Sequence, residues 1–215
     1  MWCVPKLTNE FIERMEDILH LYEKPYNEKE PMICFDEKTV QLLSHIRKPI
    51  PFKPGQIQKI DSEYKRCGTA NIFVAVEPKK GNHYLYVTKQ RKRADFAKVI
   101  YRIAHKYKDA DTIHLVLDNL NIHFLKSLTE FYGKKKGEKI WNRFTVHYTP
   151  KHGSWLNQAE IEISLLGNQC LGKLRIESIE KLRTHVNAWS KHMNKGKTKI
   201  NWLFTAQNAK EKFKY

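Results

Sequence analysis

A chain of 215 residues is long enough for one domain with a real core plus appendages, and its 41% hydrophobic content says that it folds. The 39 Lys and Arg outnumber the 23 Asp and Glu to leave a net charge of +16, which favours a polyanionic partner and nucleic acid above all. Four scattered cysteines (Cys3, Cys34, Cys67, Cys170) exclude a zinc ribbon or disulfide scaffold, and no leader-like or membrane-length apolar run is present, so a cytoplasmic protein with reduced thiols and no membrane partner is expected.

Residues 9–22 place Phe11, Ile12, Met15, Ile18, Leu19 and Tyr22 at helical spacing, with Asn9 as the expected N-cap. "MICFD" (32–36) reads as a short buried strand ending on Asp36, and "RKPIPFKPGQ" (47–56) as a basic loop. "TANIFVAVEP" (69–78) and "HYLYVT" (83–88) are strands joined by the turn residues "KKGN". Residues 93–107 form an amphipathic helix with Phe96, Ala97, Ile100, Ile103, Ala104 and Tyr107 inward. "TIHLVLD" (112–118) is apolar on both faces apart from His114, as a central strand would be, and ends on Asp118. A helix at 124–132 follows, then a solvated basic loop "GKKKGEK" (133–139) and a strand at 143–149. A helix at 154–172, stopped by Gly172, and a basic helix at 178–195 precede an irregular tail.

Strand, strand, strand, helix, strand, helix, strand, helix is the order of an α/β, RNase H-like domain: a mixed five-stranded sheet flanked by helices. The expected division is a linker helix over 1–30, the sheet domain over 31–195 and a tail over 196–215. Strands 1 and 4 are neighbours in that fold, and both end here on an aspartate. A carboxylate at a strand end can be a turn residue, a helix cap or a metal ligand. Two adjacent ones plus a third acid would suit phosphodiester cleavage, where two divalent ions roughly 3.5–4 Å apart activate the nucleophile and stabilise the leaving oxygen. The third acid belongs on the helix from 154, where Leu156, Ala159, Ile163 and Leu166 form the core stripe. Glu160 and Glu162 flank that stripe on opposite sides, and helical geometry alone does not choose between them. Asn119 and His123 read either as caps of the next helix or as groups assisting at the scissile phosphate. His152 and Trp155 precede the helix from 154, with Trp155 read as core, and Glu37 and Lys38 as supports.

Four ordered segments, "CFDEKTVQLL", "EYKRCGTANIFVAVEP", "VLDNLNIH" and "YTPKHGSWLNQAEIEISLLGNQCL", resemble the catalytic domain of a bacterial insertion-sequence transposase. The branch resembled is the mariner-like one called insertion sequence six-thirty, whose endonuclease domain is of the DDE type. The resemblance implies a catalytic, metal-holding triad of Asp36 in "DE", Asp118 in "DN…H" and Glu160 three residues after "LN". It implies two Mg²⁺ ions, with Mn²⁺ as a substitute, and Asn119, His123 and His152 as candidate assisting residues. It further implies cutting of double-stranded DNA at the element's ends, joining of a 3′-hydroxyl to target DNA, usually at TA, and a dimer or higher assembly on DNA in the bacterial nucleoid. Relatives carry a helix-turn-helix region ahead of the linker in which this chain begins, so an upstream helix-turn-helix polypeptide is an expected partner. Basic residues at 47–66, 134–139 and in the last helix are expected on phosphates. The rival readings are a DNA-binding remnant that no longer cuts, and another RNase H-like nuclease acting on branched DNA or RNA hybrids.

Overall fold

Helix α1 (Asn9–Glu23) turns Phe11, Met15, Ile18, Leu19 and Tyr22 inward as their spacing predicts. Thr8 rather than Asn9 caps it, accepting the Phe11 N–H at 3.2 Å. The computed structural model describes residues 7–172 and 174–215, so Cys3 lies outside the described residues; Cys34, Cys67 and Cys170 are free thiols. Strand β1 (Met32–His45) runs nine residues past its expected end, because β2 (Tyr64–Glu77) pairs with it antiparallel along nearly its whole length. Met32–Phe35 is buried without a break, and beyond it Leu42 alone of β1 is buried in an outer ribbon of mixed residues that a partner strand defines better than its own sequence does.

Strand β3 (Asn82–Thr88) returns antiparallel to β2, and α2 (Arg93–Lys106) crosses back to β4 (Ile113–Leu117). Helices α3 (Leu125–Tyr132) and α4 (Lys134–Trp141) lead to β5 (Phe144–Tyr148). The sheet order is β3-β2-β1-β4-β5, with β1–β4 and β4–β5 parallel, so the mixed five-stranded sheet is as expected. After β5 come a 3₁₀ turn (Ser154–Leu156), α5 (Ala159–Leu166), a π turn (Gly167–Leu171), α6 (Ile179–Gly196) and α7 (Ala206–Phe213).

Three expectations are corrected. The basic segment at 133–139 is not a loop: it lies in α4, whose Gly137 packs where any Cβ would come within 3 Å of the α3 backbone. That close approach buries Ile140 and leaves the lysines outside, and a glycine among lysines hides it in the sequence. The helix expected over 154–172 is broken where Asn157 turns extended, leaving a 3₁₀ turn ahead of α5, which widens into the π turn without a break. The tail is not wholly irregular, because Ala206 and Ala209 of α7 are buried in the cluster that holds α1.

One core cluster lies under α2, α3 and α4, around Phe35, Phe73, Phe96, Ile100, Leu115 and Leu117. The opposite face of the sheet packs under α1 and α7 through Cys34, Val76 and Val116, and under α5 and α6 through Ile72, Val74 and Leu166. A polar chain also ties α1 to the sheet. Asp17 Oδ2 accepts from His147 Nδ1 at 2.7 Å, and the other nitrogen of that ring meets His114 Nδ1 at 2.9 Å. A ring-to-ring hydrogen bond needs one N–H and one lone pair, so the two imidazoles cannot both be fully protonated. Burial holds His114 below its ordinary value, and the His147 hydrogen bond holds Asp17 below the usual carboxylate range. Both shifts mean that the folded chain binds fewer protons than the unfolded one, so this contribution is lost as pH falls, first through the histidine range and then through that of Asp17. Relative to the wild type, His114→Gln, which cannot charge, is expected to gain melting temperature as pH falls from about 7 to about 5. An unchanged slope in the variant would remove the relay from the account.

Candidate active site

The parallel pairing of β1 with β4 sets Met32 beside His114, Ile33 beside Leu115 and Cys34 beside Val116. Continued by two residues, the same register brings Asp36 beside Asp118. Side chains alternate across a strand, so Asp36 belongs to the face of Cys34, covered by α1 and α5, while Asp118, one residue past the end of β4, lines the cleft beside α1 and reaches His123 at the end of the sheet. Asn157 pins the start of α5 to that place. Its Nδ2 donates to the carbonyl of Phe35, the residue before Asp36, at 2.8 Å, and its Oδ1 accepts the Ala159 N–H at 3.1 Å, the bond an N-cap makes. Glu160 follows in the first turn of α5, exposed, and its charge reaches Asp36. Glu162 is buried on another side of the helix, 2.8 Å from His83 Nε2 of β3. The two glutamates that helical geometry left equal thus sit in different surroundings.

The aspartates differ in charge balance. Burial raises the Asp36 carboxyl; the Glu37 N–H, 2.7 Å from Oδ1, works against it, and the charges of Glu160, Glu37 and Asp118 add to it, so that it is pushed up to about 7. Burial also works against the charge on Asp118, but His123 Nδ1 at 2.6 Å, the Leu120 N–H at 3.1 Å and Arg91 hold it below the usual carboxylate range. His123 is fully buried, which opposes its charge, yet Asp118 and Glu37 together push it up to about 9. Its Nε2 lies 3.2 Å from Glu37 Oε2, an ion-pair contact off the line of a hydrogen bond, and Glu37 Oε1 lies 3.3 Å from Arg91 Nη1. Asp118 is therefore steadied by a chain of alternating charge through His123 and Glu37 to Arg91, and Asp36 has no such support.

Among the other candidates, Asn119 Nδ2 donates to the Thr149 carbonyl at 3.0 Å and so ties the loop after β4 to the loop after β5. His152 is exposed, with a left-handed backbone (φ 64°), on the rim of a cleft of ≈ 810 Å³ that also exposes Arg14, Asp118, Asn119 and Lys151. Trp155 stands edge-on to Phe204, ring centroids 5.7 Å apart, against the α1 core as expected. Among the described residues, no three His, Cys, Asp or Glu side chains converge into a ready-made cage for a metal. The oxygen donors present, and a carboxylate raised by burial and by negative neighbours, nevertheless fit Mg²⁺, which keeps several waters and takes one or two carboxylates plus substrate phosphates. Asn157 was missed in the sequence although an Asn just ahead of a helix is a cap signal. His83 carries no such signal, since its partner lies on a distant element.

The model of the DDE superfamily endonuclease family matches residues 31–183. Among solved structures the chain is similar to a pre-cleavage Mos1 transpososome, with 14% identity and a TM-score of 0.60 over 98% of this chain and 64% of that one. It is also similar to the Mos1 mariner paired-end complexes with Mn (16% identity, TM-score 0.57, 91% and 61% covered) and with Mg (16%, 0.55, 90% and 59%). At such identity the likeness is one of fold, and the chain spans 59–64% of the length of those proteins. No curated protein matches it. A match to the family model across the whole sheet and on into α6, over an RNase H-like fold, shows that the chain belongs to the DDE superfamily endonucleases.

Proposed function

We propose that this chain is the catalytic part of a mariner-like transposase of the insertion sequence six-thirty branch, which cuts DNA at the element's ends and joins the freed 3′-hydroxyl to target DNA. The observation that supports the reading is the register of β1 on β4, which, continued by two residues, brings Asp36 beside Asp118, with the charge of Glu160 on α5 reaching Asp36. These three residues would hold two Mg²⁺ ions, or Mn²⁺, which when bound supply a nucleophile at neutral pH and stabilise the leaving oxygen. Asp36 is the carboxylate that most needs positive charge nearby. His123 keeps one oxygen of Asp118 occupied and so orients the other. Lys151, at the cleft beside Asp118, is placed to receive phosphates, whereas Arg14 in the same cleft is paired with Glu10 at 2.8 Å. Arg47 of the 46–63 connection is already paired with Asp61 at 2.8 Å, so the β1–β2 ribbon offers less uncompensated charge than its sequence suggests. Assembly of two or more copies on DNA and a preference for TA targets belong to the same proposal, as does terminal-repeat recognition by a helix-turn-helix polypeptide.

The test is a duplex carrying the element's terminal repeats, incubated with the protein, Mg²⁺ and a second duplex rich in TA steps, with the helix-turn-helix partner added. Metal-dependent nicks that leave 3′-hydroxyls, and strands joined at TA, are expected. Preferential cutting of four-way junctions or RNA hybrids would replace the reading with that of another RNase H-like nuclease. Binding without cutting in either metal would mark a remnant.

A further inference from the structure

The outward face of α2 takes no part in the site described above. Lys98, Arg102 and Lys106 recur every fourth residue and form one row along it, about 6 Å apart. Each cation lies over an aromatic ring: Lys98 Nζ 5.2 Å from the centroid of Phe131, the Arg102 guanidinium 5.5 Å from that of Tyr86, and Lys106 Nζ 4.8 Å from that of Tyr84. Lys136 of α4 joins them, 4.7 Å from the ring of Tyr132 and 5.3 Å from that of Tyr101. A ring holds a cation in place without neutralising it. Glu130 of α3 is occupied by Arg93 at 2.8 Å and Lys126 at 3.8 Å, and among the described residues none of these four cations forms an ion pair. Tyr101 and Phe131 remain exposed between them.

The row also has a direction. Thr88, the last residue of β3, pairs with Asn71 of β2, which pairs with Thr39, three residues beyond Asp36 on β1. Helix α2 therefore begins at the end of the sheet that carries the carboxylates, where Arg91 meets Glu37, and runs away from it on the face opposite α5.

We propose that the α2–α4 face is a docking surface for the phosphate backbone of duplex DNA, leading away from the cutting site on the side of the sheet opposite α5. The proposal rests on the reading of this chain as a DNA-cutting enzyme. Three uncompensated cations in a row along α2, with Lys136 of α4 beside them over Tyr101, match a strand of phosphates in sign, and the row in spacing, while the rings between them tolerate sugars or an unstacked base.

The experiment compares three charge variants of the full chain. The first carries Lys98→Gln, Arg102→Gln, Lys106→Gln and Lys136→Gln. The second removes the same charge elsewhere, through Lys24→Gln, Lys199→Gln, Lys212→Gln and Lys214→Gln. The third, Lys98→Arg, Lys106→Arg and Lys136→Arg, keeps the charge. Affinity for a fluorescent duplex is measured by anisotropy across a salt series without divalent metal, with thermal melts to verify folding. Loss of the four contacts should cut the slope of log K against log salt by about 3 to 4 and weaken binding at least about tenfold relative to the second variant. The arginine set should bind like wild type. Equal weakening in the first two variants would overturn the docking surface while leaving DNA binding intact. A wild-type chain that bound no duplex at any salt would instead remove the DNA reading beneath it.

Discussion

Asp36→Asn is expected to reduce Mg²⁺-dependent DNA cleavage by about 10³-fold or more and, at the same time, to raise the melting temperature of the metal-free protein. Loss of cleavage follows from removing a negative oxygen where the ions must be held, since metal stabilisation of the transition state is worth several kcal/mol. Gain of stability follows from the other half of the same physics. In the folded chain the Asp36 carboxyl is pushed up to about 7 by burial and by its acidic neighbours. Between its ordinary range and that value the folded state binds more protons than the unfolded state, so stability falls as pH rises, and the penalty is complete above about pH 7. The bound set by the shift is about 4 kcal/mol, and relief of about 1–3 kcal/mol is expected at pH 8, shrinking to a few tenths by about pH 4 as the unfolded carboxyl also takes up its proton. Mg²⁺ should stabilise the wild type by binding only its folded state, and stabilise the variant far less. Melting curves at the two pH values, with and without Mg²⁺, separate this account from one in which Asp36 merely shapes a turn. A variant melting below the wild type at pH 8 would end it. Asp118 should behave differently, because its charge is matched by His123: Asp118→Asn abolishes cleavage without the gain.

The second expectation separates the two glutamates of α5. Glu160→Gln should leave stability within about 0.5 kcal/mol of wild type, as an exposed substitution does, while removing cleavage. His83→Ala should destabilise the fold by about 3–5 kcal/mol, because it strands the buried Glu162 carboxyl inside the protein. Double substitution of His83 and Glu162 by leucine should recover much of that loss, since two packed apolar groups replace two polar ones. Chemical denaturation and a nicking assay on the same samples decide the matter. Cleavage lost in Glu162→Gln and kept in Glu160→Gln would reverse the assignment.

The elements that stand on their own periodicity were legible in the sequence: α1, α2, β3, β4 and the adjacency of β1 to β4 that follows from their order. The outer half of β1 was not, because its residues are ordered by the partner strand and not by an apolar run of their own. Helix α4 was hidden because two glycines punctuate a run of lysines, and the cost of Gly137 in a helix is offset only once the α3 backbone packs against it. In the site, position could be read but electrostatics could not. "DE" and "DN" mark two acids at strand ends, but nothing local says that one is deprived of positive charge and the other held by a buried imidazole. That difference depends on Glu37, which reaches His123 from β1, and on Arg91, which pairs with Glu37 in turn.

The parallel pairing of β1 with β4 joins residues roughly 80 positions apart, whereas β2 and β3 close on each other through a tight turn. Contacts of such high sequence separation form slowly, after local hairpins and helices, because a long loop must be closed before any pair rewards it. Glu160 comes later still along the chain, and α5 can be pinned only after Phe35 has taken its place in the sheet. On the function proposed above, a chain still short of α5 therefore carries Asp36 and Asp118 without Glu160, and the site is completed only as one of the last events of folding.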